Sequence, residues 1–276
     1  MVLKVLGSAA AEGWPAPFCT CEACRRARRL QGRDIRRRTS YQLGDTIHID
    51  WGPDSYYSMH SFGLDYSHLR HLLITHSHFD HWTPLELLWR REGFSAIPDD
   101  AQLSVWGNKR VQQRMEEELM PELEDGLADV QMDFHLLQAF ETIDLGEATA
   151  VPLPANHADD EHAYIYLLHT ASSSVLIGHD SGWFSEDVWD FLTDRGLQYA
   201  LIDCTYGTAD KSTGHMGGSY VIETATRLRE TGALAEDATA IAQHFSHNCG
   251  SSYSELVEYF APHDIEVAYD GMELVV

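Results

Sequence analysis

The sequence predicts a layered α/β protein, two central sheets with helices outside them. Three observations predict it. Short apolar runs come first, at 2–6, 40–43 and 45–50. A mixed middle follows, with strands expected at 71–75, 102–106, 134–138, 148–153, 163–168 and 174–178. The last third then alternates: helix 184–193, strand 198–203, helix 217–230, strand 239–243, helix 252–260 and strand 265–269.

Each element has a local reason. Residues 71–75 read His71-Leu72-Leu73-Ile74-Thr75, an apolar run suited to a buried strand. A helix is expected over 83–91, with Pro84 in its first turn. Apolar spacing predicts an amphipathic helix near 108–119. Ser252-Tyr253-Ser254-Glu255 has the capping-box pattern that starts the last helix. Residues 13–37 form an excursion rich in Cys, Arg and Gly, and the acidic stretch 121–133 is expected to be exposed. No repeat, low-complexity tract or linker splits the chain, so residues 1–276 are read as a single domain.

The 276 residues suffice for a sizeable core, and a hydrophobic content of 44% is ordinary for a globular protein. No apolar run approaches membrane-spanning length. Met1-Val2-Leu3-Lys4-Val5-Leu6-Gly7 reads as a first strand rather than a signal peptide, so a cytoplasmic location is expected. The formal net charge is −24. Residues 1–40 hold nine basic and three acidic side chains, and the rest hold ten basic and forty acidic ones. An acidic surface argues against nucleic-acid binding. The Arg-rich stretch, Arg25 to Arg29 and Arg36 to Arg38, reads as a solvated face paired with that acidic remainder. The sharper alternative is an anion-attracting rim.

The chemistry concentrates in Thr75-His76-Ser77-His78-Phe79-Asp80-His81. His76, His78, Asp80 and His81 put four metal-ligand types on one strand-to-helix loop. Such density points to more than one cation. Three further candidates each follow an apolar strand: His157, Asp180 and His244. Carboxyl ends of strands line the ligand crevice of α/β folds, so these groups can converge.

With these residues the chain resembles the metallo-β-lactamase-fold hydrolases, whose pattern is His-x-His-x-Asp-His followed by a His, an Asp and a final His. The resemblance implies a four-layer αββα sandwich. It also implies that His76, His78 and His157 hold one metal, that Asp80, His81 and His244 hold another, and that Asp180 bridges them. Two cations about 3.5–4 Å apart activate water at neutral pH and stabilise negative charge on an electrophilic centre. Manganese, zinc and iron all suit such N/O ligands. Asp50, in Ile49-Asp50-Trp51-Gly52, either orients a ligand imidazole or serves as a turn residue.

Cys19-Thr20-Cys21-Glu22-Ala23-Cys24 narrows the resemblance. Three thiolates need a fourth ligand to close a structural zinc site, and His247, three residues past His244, supplies it. The pattern is similar to the PhnP phosphodiesterases of bacterial phosphonate breakdown. Cys204 and Cys249 read as packing residues.

His215, flanked by Gly214 and Gly217, is implied to touch the substrate phosphate and protonate the leaving alkoxide. Asp203 is open between a supporting role and a strand-end cap. His162, His169 and His179 are taken as structural or supporting. The run Asp159-Asp160-Glu161 reads as a solvated loop, with a place at the border of the pocket as the alternative.

The function implied is hydrolysis of a small, cyclic or open, phosphodiester through a dinuclear centre, with Asp80 and His215 as catalytic residues. A thioester or lactone hydrolase of the same fold stays open, as does an oxidoreductase like the PQQ-biosynthesis relative. A homodimer is allowed for.

Overall fold

The computed structural model describes residues 1–98 and 101–276. Its strands are β1 (Val2–Gly7), β2 (Ser40–Leu43), β3 (Ile47–Ile49), β4 (His71–Leu73), β5 (Leu103–Gly107), β6 (Met132–Leu136), β7 (Ile143–Asp144), β8 (Ala148–Pro154), β9 (Tyr164–Thr170), β10 (Ser174–Gly178), β11 (Leu197–Asp203), β12 (Leu234–Gln243), β13 (Ile265–Val267) and β14 (Glu273–Val275). The α-helices are α1 (Glu22–Leu30), α2 (Ser55–Phe62), α3 (Lys109–Glu118), α4 (Glu186–Leu192), α5 (Gly218–Glu230) and α6 (Tyr253–Phe260). None is long and apolar enough to cross a membrane.

The strands form two seven-stranded mixed sheets, ordered β14-β1-β2-β3-β4-β5-β6 and β13-β12-β11-β10-β9-β8-β7. Period-two side-chain alternation sorts the core into layers. On the second sheet Leu168, Ile177, Leu201 and Ile241 face Leu3, Val5, Leu43 and Ile49 of the first. Their neighbours Leu167, Leu176, Ala200 and Ala240 point the other way, onto α4, α5 and α6. The outer face of the first sheet packs Leu72, Ile74 and Val105 against Val111 and Met115 of α3. Strands apolar on both faces are thereby buried on both faces, at about 1.5–3 kcal/mol for each fully buried large aliphatic side chain.

The expected helix at 83–91 is a 3-10 helix, Pro84–Arg90. Its buried residues, Pro84 and Leu87, lie three apart, which suits three residues per turn. Sequence reasoning missed α2, which buries only Ser55 and Ser58 and so shows no apolar stripe. It also missed the short strands β7 and β14. Helix α1 lies within the Cys-rich excursion, N-capped by the Cys21 side chain, which accepts from Cys24 N. The stretch 121–133 is not wholly exposed, because Val130 and Met132 enter the core and Met132 begins β6.

Runs β3-β4-β5-β6 and β10-β11-β12-β13 are parallel. β8 reaches β10 through two antiparallel pairings, so it shares that direction. The carboxyl ends of β4, β8, β10, β11 and β12 therefore deliver His76, His157, Asp180, Asp203 and His244 to one edge of the sandwich.

Candidate metal centre

Past β4 the chain turns sharply: His81 N and Trp82 N both donate to His78 O, at 3.1 and 2.9 Å. The turn lies against Gly52, where a Cβ would stand 1.9 Å from Asp80 O. Only glycine permits that approach. Asp50, Asp180 and His244 all have φ between 50° and 62°, a left-handed conformation uncommon for such residues. Strained strand ends of this kind concentrate at functional sites.

The side chains form two adjacent groups. His76 Nε2 lies 2.9 Å from His78 Nδ1, which lies 3.2 Å from His157 Nε2. In the second group His81 Nε2 is 2.8 Å from Asp80 Oδ2 and 2.6 Å from Asp180 Oδ2, and His244 Nε2 is 3.1 Å from Asp180 Oδ2. Ligand atoms within each group all lie within 4.8 Å of one another. Asp180 falls in the second group, and its charge also acts on His76 and His157. The buried atoms His81 Nε2, Asp180 Oδ2 and His244 Nε2 make no hydrogen bond despite their closeness. Buried polar atoms left in that state, converging on one point, fit a cation.

The remaining imidazole nitrogens are held from behind. His157 Nδ1 donates to Gly214 O at 3.2 Å, and His76 Nδ1 is 3.0 Å from Thr75 Oγ1. His244 Nδ1 lies 2.8 Å from Thr205 Oγ1 and 3.3 Å from Asp203 Oδ2. These contacts leave Nε2 of each ring for a metal.

Asp50 is fully buried. Its Oδ2 accepts from His81 Nδ1 at 2.7 Å and from His179 Nε2 at 2.8 Å, and its Oδ1 from Thr75 N at 2.8 Å. Burial pushes its carboxyl up, but the charge of His81 and these bonds hold it well below the usual carboxylate range. His179 stacks on both His81 and His244. Asp203, also fully buried, accepts from Asp180 N at 3.0 Å and Met216 N at 2.8 Å, and faces His215 Nδ1 at 3.1 Å. Burial lowers His215, yet the bond to Asp203 and the charges of Asp203 and Asp180 hold it above its ordinary value. Its Nε2 has no protein partner among the described residues, and the ring lines a cavity of about 460 Å³ with His78, Asp80, His157, Asp180 and His244. Lys211 is the one lysine or arginine on that cavity among the described residues.

Glu161 departs from its expected solvated loop. It is buried, and its Oε2 accepts from Ser77 N and Ser77 Oγ at 2.8 and 2.7 Å. An acidic run gives no local sign that one of its members will turn inward. The arginines also depart in part. Arg25, Arg26, Arg29, Arg37 and Arg38 pair with acids, whereas Arg36 is buried and donates to Ser8 Oγ and Ala268 O. None lines the cavity, so the anion-attracting rim is not formed.

Cys19, Cys21, Cys24 and His247 also meet, with Nδ1 of His247 at 3.8 and 3.5 Å from the sulfurs of Cys19 and Cys21. A hydrogen bond from Cys24 N lowers the Cys21 thiol to about 6, whereas burial lifts Cys24 to about 12. Three sulfurs in contact do not all ionise without a cation, and four such donors fit zinc. Cys204 is buried in the core, and Cys249 packs against it.

A family model described as Anti-Pycsar protein Apyc1 matches residues 40–236, well over half of the chain. The chain belongs to that family. None of the curated proteins matches it. Among solved structures, this Apyc1-family chain is similar to a diphosphatase from the PhnP family, at 23% identity and a TM-score of 0.75, covering 100% of this chain and 97% of that one. Zinc-bound PqqB from Methylobacterium extorquens matches at 17% identity and a TM-score of 0.73, with 100% of each chain covered. The metallo-β-lactamase fold protein YhfI from Bacillus subtilis matches at 16% and 0.69, with 99% of each covered. Together with the two sheets and their flanking helices, these likenesses identify the metallo-β-lactamase fold, an αββα sandwich.

Proposed function

We propose that the chain is a metal-dependent hydrolase of small phosphodiesters. One observation carries the reading: two donor groups, His76/His78/His157 and Asp80/His81/Asp180/His244, stand side by side on a cavity that His215 also faces. The groups would suit two divalent ions, zinc, manganese or iron, with Asp180 among the residues that would hold them. Such ions, when bound, activate water at neutral pH and neutralise charge on the oxygens of the reacting phosphorus. Asp80 orients the attacking water from the loop, since its carboxylate lines the cavity. His215 holds a proton on Nε2 and passes it to the leaving oxygen, while Asp203 fixes the ring through Nδ1. Burial opposes its charge, but the bond to Asp203 and the charges of Asp203 and Asp180 raise its affinity for a proton, in the direction a general acid requires. Lys211 draws the anionic substrate in. Cys19, Cys21, Cys24 and His247 hold a structural zinc that braces the turn carrying His244.

Purified protein supplied with manganese or zinc is to be tested on bis-p-nitrophenyl phosphate, cyclic nucleotides, a thioester and a lactone. Phosphodiester cleavage abolished by Asp80→Ala is expected. Turnover of the thioester or lactone alone would replace the reading with carboxyl-ester hydrolysis.

A further inference from the structure

One carboxylate on the cavity wall has no part in the chemistry above. Glu12, just past β1, lines the cavity together with Ser246 and Asn248. Its Oε1 accepts a hydrogen bond from Ser246 Oγ at 2.5 Å and lies 3.3 Å from His247 Nε2. Ser246 Oγ is itself fixed, accepting from Asn248 N at 3.1 Å. His247 turns Nδ1 toward Cys19 and Cys21, which leaves its proton on Nε2, facing Glu12. Glu12 is thus held from two sides through one oxygen. Its Oε2 has no hydrogen-bond partner among the described residues.

An ionised carboxylate only accepts hydrogen bonds. A held carboxylate with one free oxygen on a cavity wall is a preorganised acceptor in want of a donor. Phosphate oxygens cannot fill that role, because they also only accept and carry like charge. The matching group is a neutral donor, and a sugar hydroxyl is one. The same carboxylate repels a second or third negative charge, and among the described residues Lys211 is the one lysine or arginine on the cavity to offset it.

We propose that Glu12 is a specificity-determining residue: its Oε2 accepts a hydrogen bond from a hydroxyl beside the scissile phosphate, selecting a monoanionic phosphodiester of a hydroxylated sugar. This deepens the phosphodiesterase reading and rests on it. The His247–Glu12 contact further makes the Cys-rich cluster part of substrate recognition, since its histidine orients the reading carboxylate.

The test compares a 3′,5′-cyclic ribonucleotide with its 2′-deoxy counterpart, using bis-p-nitrophenyl phosphate as a hydroxyl-free reporter of phosphodiester cleavage. Calorimetry on the slowly cleaved phosphorothioate forms of both nucleotides gives a readout independent of turnover. The wild type is expected to favour the ribonucleotide by about tenfold or more, chiefly in KM, as for a hydrogen bond to a charged acceptor. Glu12→Ala should bring the ratio close to one in both kinetics and calorimetry. Glu12→Gln, which keeps an accepting oxygen, should retain part of it, and Ser246→Ala should narrow it by loosening Glu12. A wild-type ratio near one, or a ratio that survives Glu12→Ala, overturns the proposal even where bis-p-nitrophenyl phosphate is cleaved. Absence of all phosphodiester cleavage overturns the functional reading, and the calorimetric ratio then still decides the role of Glu12.

Discussion

Asp50→Asn removes the one buried charge that faces His81, His179 and Thr75 together. The native carboxylate accepts from His81 and His179 on Oδ2 and from Thr75 N on Oδ1. An amide has one accepting oxygen, and its NH2 group must face an N–H whichever way it turns. At least one buried donor is then unsatisfied, at about 1–3 kcal/mol, and hydrogen bonds to a charged acceptor are replaced by weaker ones. The sum falls at about 3–5 kcal/mol, the range seen when one partner of a buried ion pair is removed. His81 also loses the group that sets its tautomer, which should weaken metal binding about 10–100-fold at the site that includes it. Urea denaturation reads the first effect, and competition against a chromogenic chelator reads the second. A variant with the wild-type urea midpoint and wild-type metal affinity would refute the assignment of Asp50 as the residue that positions His81.

Three further outcomes are expected. His215→Asn should lower phosphodiester turnover about 10²–10⁴-fold while metal content, measured by mass spectrometry, stays at two ions in the cavity; equal loss of both would contradict its role as an acid. Cys21→Ser should cost one zinc per chain and raise the hydrogen-exchange rate of the turn carrying His244, and unchanged zinc stoichiometry would sink the structural site. In the metal-free chain, burial would lower His244, but the adjacent charge of Asp180, then that of Asp203, holds it at about 10 against an ordinary 6.5. That contribution is fully present below about 6.5 and is lost as pH rises through about 10. The Tm of chelator-treated protein should therefore fall across that interval, and His244→Asn should flatten the fall; identical pH profiles for the two would exclude it.

Much of the centre was legible before folding was considered. His76, His78, Asp80 and His81 share one loop, and His157, Asp180 and His244 each end an apolar strand, so pattern alone singled them out. The cysteine cluster was legible for the same reason, and the structure brings His247 to it. Asp50 stands even between two roles in the sequence, because an Asp before Trp-Gly looks the same whether it caps a turn or binds an imidazole. Asp203 was ambiguous likewise. The 3-10 helix at Pro84–Arg90 and the short strand β14 escaped because neither carries a long periodic signal.

The sequence by itself determined the ligand types and their placement at strand ends. Ligand identity is a property of single residues, and strand ends follow from local hydrophobicity. Only the tertiary structure decided which carboxylates support the centre. Asp50 reaches His179 across 129 positions, Glu161 reaches Ser77 across 84, and Ser246 reaches Glu12 across 234. Each of those roles depends on which donors packing brings to a carboxylate, and no local pattern encodes a neighbour that distant.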